Sequence, residues 1–175
     1  MKHDILNTTV LCIVGILINF AGNLLASALG IPLFLDAIGT MLAAAVGGYL
    51  PGKIVGLGTN LITGILDVTQ LSYGFLNIMI AILTVFFADR KCFEKFWKAL
   101  LTVPAYVAVC AVVSAVVAWL LEEDAAVDIF SHLLSETEDK GISVLITFCI
   151  LKLLPRFPMM NHSVPFFRIC LPEKK

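Results

Sequence analysis

Charge is what this sequence has least of. Asp, Glu, Lys and Arg make up 14% of its 175 residues, where a soluble domain carries about 25%. That shortfall excludes an ordinary water-soluble fold, because a core of this size cannot bury the 59% of residues that are hydrophobic. Paired cysteines are missing as well. Cys12, Cys92, Cys110, Cys149 and Cys170 have no regular spacing, which argues against a disulfide framework and for free thiols serving as small hydrophobes. His3, His132 and His162 fall in separate peripheral segments and form neither a metal set nor a catalytic pair. The sequence also lacks a His-Glu metal motif, a phosphate-binding glycine loop and a serine in a nucleophile-elbow setting. It is therefore read as a non-enzyme, with no catalytic residue, cofactor or metal. Its basic residues are too few for a nucleic-acid partner.

What the chain has is apolar length, with a mean hydropathy of +0.97. At about 20 residues per spanning helix, it accommodates roughly six helices with short connections. The sequence predicts an all-α integral membrane protein with six short transmembrane helices over residues 1–158 and a basic cytoplasmic or interfacial tail over 159–175. The spans are placed near residues 5–29, 37–49, 52–66, 73–88, 99–121 and 141–154. Any ATPase or large sensory module is expected on another polypeptide. Lys2 before an apolar run, with Ala26 and Ala28 at its end, imitates a secretory signal; continuation through Asn19, Gly22 and Asn23 favours an uncleaved first helix.

Charge also orients the chain. Lys2, Lys53, Arg90, Lys91, Lys95, Lys98, Lys152, Arg156, Arg168, Lys174 and Lys175 can be assigned to one side. Lys140 falls on the other, outnumbered by Glu122, Glu123, Asp124, Asp128, Glu136, Glu138 and Asp139. The positive-inside rule then predicts cytoplasmic N- and C-termini and an even number of spans in a multi-pass protein. Between residues 89 and 98, Phe93, Phe96 and Trp97 alternate with charges, which fits either a short interfacial helix or a plain inner loop. Val127, Phe130, Leu133 and Leu134 repeat at helical spacing and predict a small amphipathic helix over the outer mouth.

The stretch IPLFLDAIGTMLAAAVGGYLPGKIVGLGTNLITGILD, residues 31–67, is apolar yet interrupted by groups that lipid penalises. Gly48, Gly52, Gly56, Asn60 and Gly64 recur every four residues, putting small side chains on one helix face where another backbone can approach. That face serves either internal packing or a ligand. Tyr49 through Lys53 is expected to form an inner turn. Asp36, Thr40, Asn60, Thr63, Asp67 and Asn77 all fall in the outer halves of adjacent predicted helices, and a polar group in hydrocarbon needs a partner. Helix capping alone explains Asp36 and Asp67, and interhelical bonding explains any single Asn. Together they are candidates to line an outward-facing substrate pocket, with Trp119 as an aromatic contributor or an interfacial anchor.

The whole-chain plan of six short helices, the run IPLFLDAIGTMLAAAVGGYLPGKIVGLGTNLITG over residues 31–64 and the ending DKGISVLITFCILKLLP resemble the substrate-binding membrane subunit, or S component, of the energy-coupling factor transporter family. The resemblance implies a place in a prokaryotic cytoplasmic membrane and capture of a micronutrient of unknown identity at the outer face. It also implies energy from a transmembrane coupling subunit and two cytoplasmic ATPase subunits. Family members offer an Ala-x-x-x-Ala strip on the first helix to the coupling subunit; the matching region here reads Gly22-Asn23-Leu24-Leu25-Ala26. Gly22, Ala26 and Gly30 are thus the candidate partner surface. The alternative is a ligand sensor or adaptor acting through a signalling partner.

Overall fold

A computed structural model describes residues 2–31, 33–65, 68–120 and 129–153. The tail predicted over 159–175 and the candidate Asp67 lie outside the described residues. The chain is all-helical where described: α1 (Lys2–Ala28), α2 (Ile38–Gly47), α3 (Tyr49–Thr63), α4 (Thr69–Ser72), α5 (Gly74–Asp89), a 3-10 turn (Cys92–Glu94), α6 (Phe96–Leu100), α7 (Val103–Leu120) and α8 (Ile129–Leu153).

Six of these helices reach ten residues, but the expectation of six transmembrane helices is overturned. Among the described residues only Leu6–Ala28, Gln70–Asp89 and Phe96–Val117 are long and apolar enough to cross a membrane. The protein is thus a multi-span membrane protein with at least three such stretches, and their surfaces leave large side chains such as Leu17, Leu24, Phe75 and Val112 uncovered. An apolar belt of that extent is lipid-facing surface.

The remaining long helices fail as independent spans for different reasons. α2 has ten residues, about 15 Å at 1.5 Å per residue, half the thickness of a hydrocarbon core. Its residues Ile38 to Ala45 are all buried. A helix apolar on every side belongs in an interior, and α2 sits there, contacted by α1, α3, α5 and α8. α3 is diluted by glycines. α8 runs unbroken through Gly141, so the outer amphipathic helix and the sixth span expected from sequence are one element, with Glu136, Asp139 and Lys140 buried in it.

Close backbone approach sets the packing. Gly39 on α2 faces Gly15 on α1, and a Cβ built on Gly39 would lie 1.9 Å from the Gly15 carbonyl oxygen. Gly39→Ala is expected to force the two helices apart and cost about 1–3 kcal/mol as overpacking does, read as a lower midpoint of thermal unfolding in detergent. The four-residue ladder is internal packing of α3: a Cβ on Gly52 would meet Ala44 and Ala81, and one on Gly56 would meet Asn77. The inner turn is shorter than expected. Gly48, at φ +86°, reverses the chain alone, and Pro51 falls in the first turn of α3, where no amide donor is required.

Residues 89–100 resolve into the 3-10 turn and α6. Trp97 is exposed beside Phe96, with their rings edge to face. This is the short-helix alternative rather than the plain loop.

Candidate functional site

Besides the buried Thr84–Tyr106 hydroxyl pair between α5 and α7, three polar groupings of the described interior bear on a site, and two of these three have capacity left for a ligand. The first centres on Asn19 of α1, which is fully buried. Its Nδ2 donates to the Thr40 hydroxyl on α2 at 2.9 Å and to the Thr59 hydroxyl on α3 at 3.0 Å. Its Oδ1 accepts from the amides of Gly39 at 2.6 Å and Thr40 at 3.4 Å. Asn19 thereby caps α2 from another helix. This corrects the expectation that Asp36 caps it: the N-cap position is Ala37, and no side chain of the cap residue bonds the helix. Thr40 is accordingly a partner of Asn19, joining helices.

The second grouping joins α3 and α5 to the connection before α2. Asn77 Nδ2 donates to Asn60 Oδ1 at 3.1 Å and, more weakly, to Asp36 Oδ2 at 3.4 Å. Asn60 is 1% exposed and Asn77 2%. Asn60 Nδ2 and Asn77 Oδ1 nevertheless have no hydrogen-bond partner. A buried donor or acceptor left unmade costs about 1–3 kcal/mol, and here one of each lies on two amides already joined to each other. Asp36, beside the pair, is half-buried.

The third grouping lies on α8. Asp139 Oδ1 accepts from the successive amides of Phe34 at 3.0 Å and Leu35 at 2.8 Å, with Leu35 in the left-handed region at φ +48°. Consecutive amides curled in this way form an anion-binding concavity, which here holds a carboxylate of the protein itself. The other Asp139 oxygen takes the Lys140 ammonium, whose second neighbour is Glu136 Oε2 at 3.6 Å. Asp36 lies within electrostatic reach of both Lys140 and Asp139, so the second and third groupings share one field. Glu136 Oε2 and the Ser143 hydroxyl are also buried without a hydrogen-bond partner.

The structure thus joins Asp36, Asn60 and Asn77 through side-chain hydrogen bonds that none of the other described candidates shares. Thr63 donates to the carbonyls of Thr59 and Asn60 in its own helix. Trp119 is 72% exposed at the end of α7. Of the strip on α1, Ala26 is buried and Gly22 abuts Leu35, whose carbonyl oxygen a Cβ there would meet at 2.4 Å. Gly30 ends α1 at φ +64° and is exposed, with its own amide donating to Ser27 and that of Ile31 to Ala26, a Schellman closure.

Sequence reasoning placed Glu136, Asp139 and Lys140 in an outer flank and missed them as interior groups. The signal was present: Glu136, Asp139, Lys140, Ser143 and Thr147 fall on one helical face, and all are buried. A groove of about 180 Å³ lined by Ile16, Leu17, Phe20, Thr59 and Ile62 lies elsewhere, between α1 and α3. Comparison with family models, curated proteins and solved structures returned no match.

Proposed function

We propose that the chain is a substrate-capturing membrane subunit, binding a small polar solute between α3, α5 and the connection 33–37, with transport driven by a coupling subunit and ATPases on partner chains. The observation that carries this is the buried, half-satisfied amide pair. Asn60 Nδ2 and Asn77 Oδ1 offer one donor and one acceptor beside Asp36, the arrangement that a hydroxyl, amide or ring edge of a solute completes. An interior without such a role does better with apolar residues there. The family reading rests on the resemblance of residues 31–64 to S components and no longer on a plan of six spans.

The test is the double substitution Asn60→Leu with Asn77→Leu, similar in size and free of orphaned amide groups. Expected is an unchanged or higher unfolding midpoint together with loss of the small molecule that the wild-type full chain retains in native mass spectrometry. Equal retention by both proteins overturns the site. ATP-dependent accumulation of the retained solute, on co-expression with a coupling subunit and ATPases, separates a transporter from a ligand sensor, which alters a partner without moving solute.

A further inference from the structure

The balance of charge around the site specifies more than its hydrogen-bonding capacity does. Among the described residues Glu136 and Asp139 contact a single ammonium, that of Lys140, and Asp36 lies within its field without a contact. Lys140 makes its short contact with Asp139, and the other Asp139 oxygen is filled by the Phe34 and Leu35 amides. Asp36 accepts weakly from Asn77 and from its own backbone amide, and Glu136 meets the Lys140 ammonium at 3.6 Å and the Cys110 thiol, so neither has an ionic partner at hydrogen-bond distance. The interior therefore holds more carboxylates than counter-ions, an arrangement that a low-dielectric site tolerates poorly.

The orphaned atoms have the same bias independently of charge. Asn77 is almost fully buried, and its Oδ1, on the amide whose Nδ2 reaches Asp36, is an acceptor without a donor. Glu136 Oε2 is another. Of the unfilled positions near Asp36, only Asn60 Nδ2 is an obligate donor. Among the described residues no set of His, Cys, Asp and Glu converges closely enough to hold a metal ion. An organic cation suits spread acceptors better, because its N–H groups point in several directions at once.

Building on the capture reading above, we propose that the bound solute carries a protonated amine, placed against Asp36 and Asn77 Oδ1, with Glu136 as the more distant acceptor. The ammonium supplies both the missing positive charge and the missing donors. Asn60 Nδ2 then addresses a carbonyl, hydroxyl or ring nitrogen on the same molecule.

The test exposes the purified full chain in detergent to the small-molecule fraction of a host-cell extract, and separately to tryptamine, tryptophol and indole-3-acetate, which share one ring and differ in charge. Retained molecules are identified by native mass spectrometry. Expected is retention of amine-bearing species, tryptamine above its two analogues, and a loss of about 10- to 100-fold in Asp36→Asn, the factor set by a hydrogen bond to a charged group. Glu138→Gln, on an exposed position of α8, controls for altered surface charge and should retain ligand as the wild type does. Retention of neutral or anionic species instead, or equal retention by Asp36→Asn, overturns the amine and leaves solute capture standing. Retention of nothing from either source overturns both.

Discussion

Asp139→Ala is expected to destabilise the bundle by about 3–5 kcal/mol, the loss seen when one member of a buried ion pair is removed and the other stays behind. Two consequences combine. Lys140, almost fully buried, loses its short contact and keeps only the more distant Glu136. The amides of Phe34 and Leu35 lose their common acceptor, and Leu35 is then held at φ +48° with nothing bonded to its N–H, a conformation that costs a non-glycine residue about 1–2 kcal/mol. Unfolding in detergent, followed by helical circular dichroism, gives the measurement. Removing both charges, as Asp139→Asn with Lys140→Met, should recover part of the loss: the short ion pair goes as a unit and the new amide oxygen still accepts from Phe34 and Leu35, while Glu136 is left without its ammonium. A single and a double variant of equal stability would refute the pairing.

Asn19→Leu is expected to be the second large effect, and for a different reason. The residue is neutral, yet its four hydrogen bonds tie α1 to both α2 and α3. Leucine has similar volume, so the loss is of partners rather than of packing. The Gly39 amide at the buried start of α2 is left with no acceptor, at about 1–3 kcal/mol. The Thr40 hydroxyl loses its donor, while Thr59 keeps its bond to the Val55 carbonyl. Thr63→Val, by contrast, removes only bonds within α3 and should change stability by no more than about 0.5 kcal/mol. Unfolding midpoints that rank the two substitutions in the opposite order would show that Asn19 is not the tie between the helices.

How far the sequence spoke for the fold depended on which force shaped each element. α5 was legible almost to the residue, at 73–88 expected against Gly74–Asp89 observed, because it is long, apolar and ended by charge. α2 was legible as a helix but not as a buried one. Its run of Ile, Met, Leu and Ala looks the same whether lipid or protein surrounds it, and what distinguishes the two is the contact of Gly39 with Gly15 across the bundle. The charges of α8 misled for the opposite reason. Glu136, Asp139 and Lys140 have the composition of a solvated flank, and only their mutual pairing and the Phe34 and Leu35 amides make their burial tolerable.

The candidate site divides in the same way. Asp36, Asn60 and Asn77 could be named because amides and carboxylates inside apolar runs demand an explanation. Thr40 and Thr63 satisfied the same criterion and turned out to bond the scaffold. A hydroxyl can return its proton to a carbonyl of its own helix, whereas a side-chain amide has too many polar positions to be satisfied so locally. Unfilled capacity therefore lies on the asparagines rather than the threonines.

The enclosure of α2 bears on how the protein is made. A nascent chain delivers α1 to the bilayer as a finished apolar span, but the ten residues of α2 follow at once and are too short to be left in lipid by themselves. Their walls come from α3, α5 and finally α8, and the last of these begins at Ile129, some 80 residues after α2 has been synthesised. Between those moments the start of α2 depends on Asn19, its one side-chain tie to a helix already in place. The enclosure of α2 is therefore complete only once α8, the last of its walls in chain order, is present.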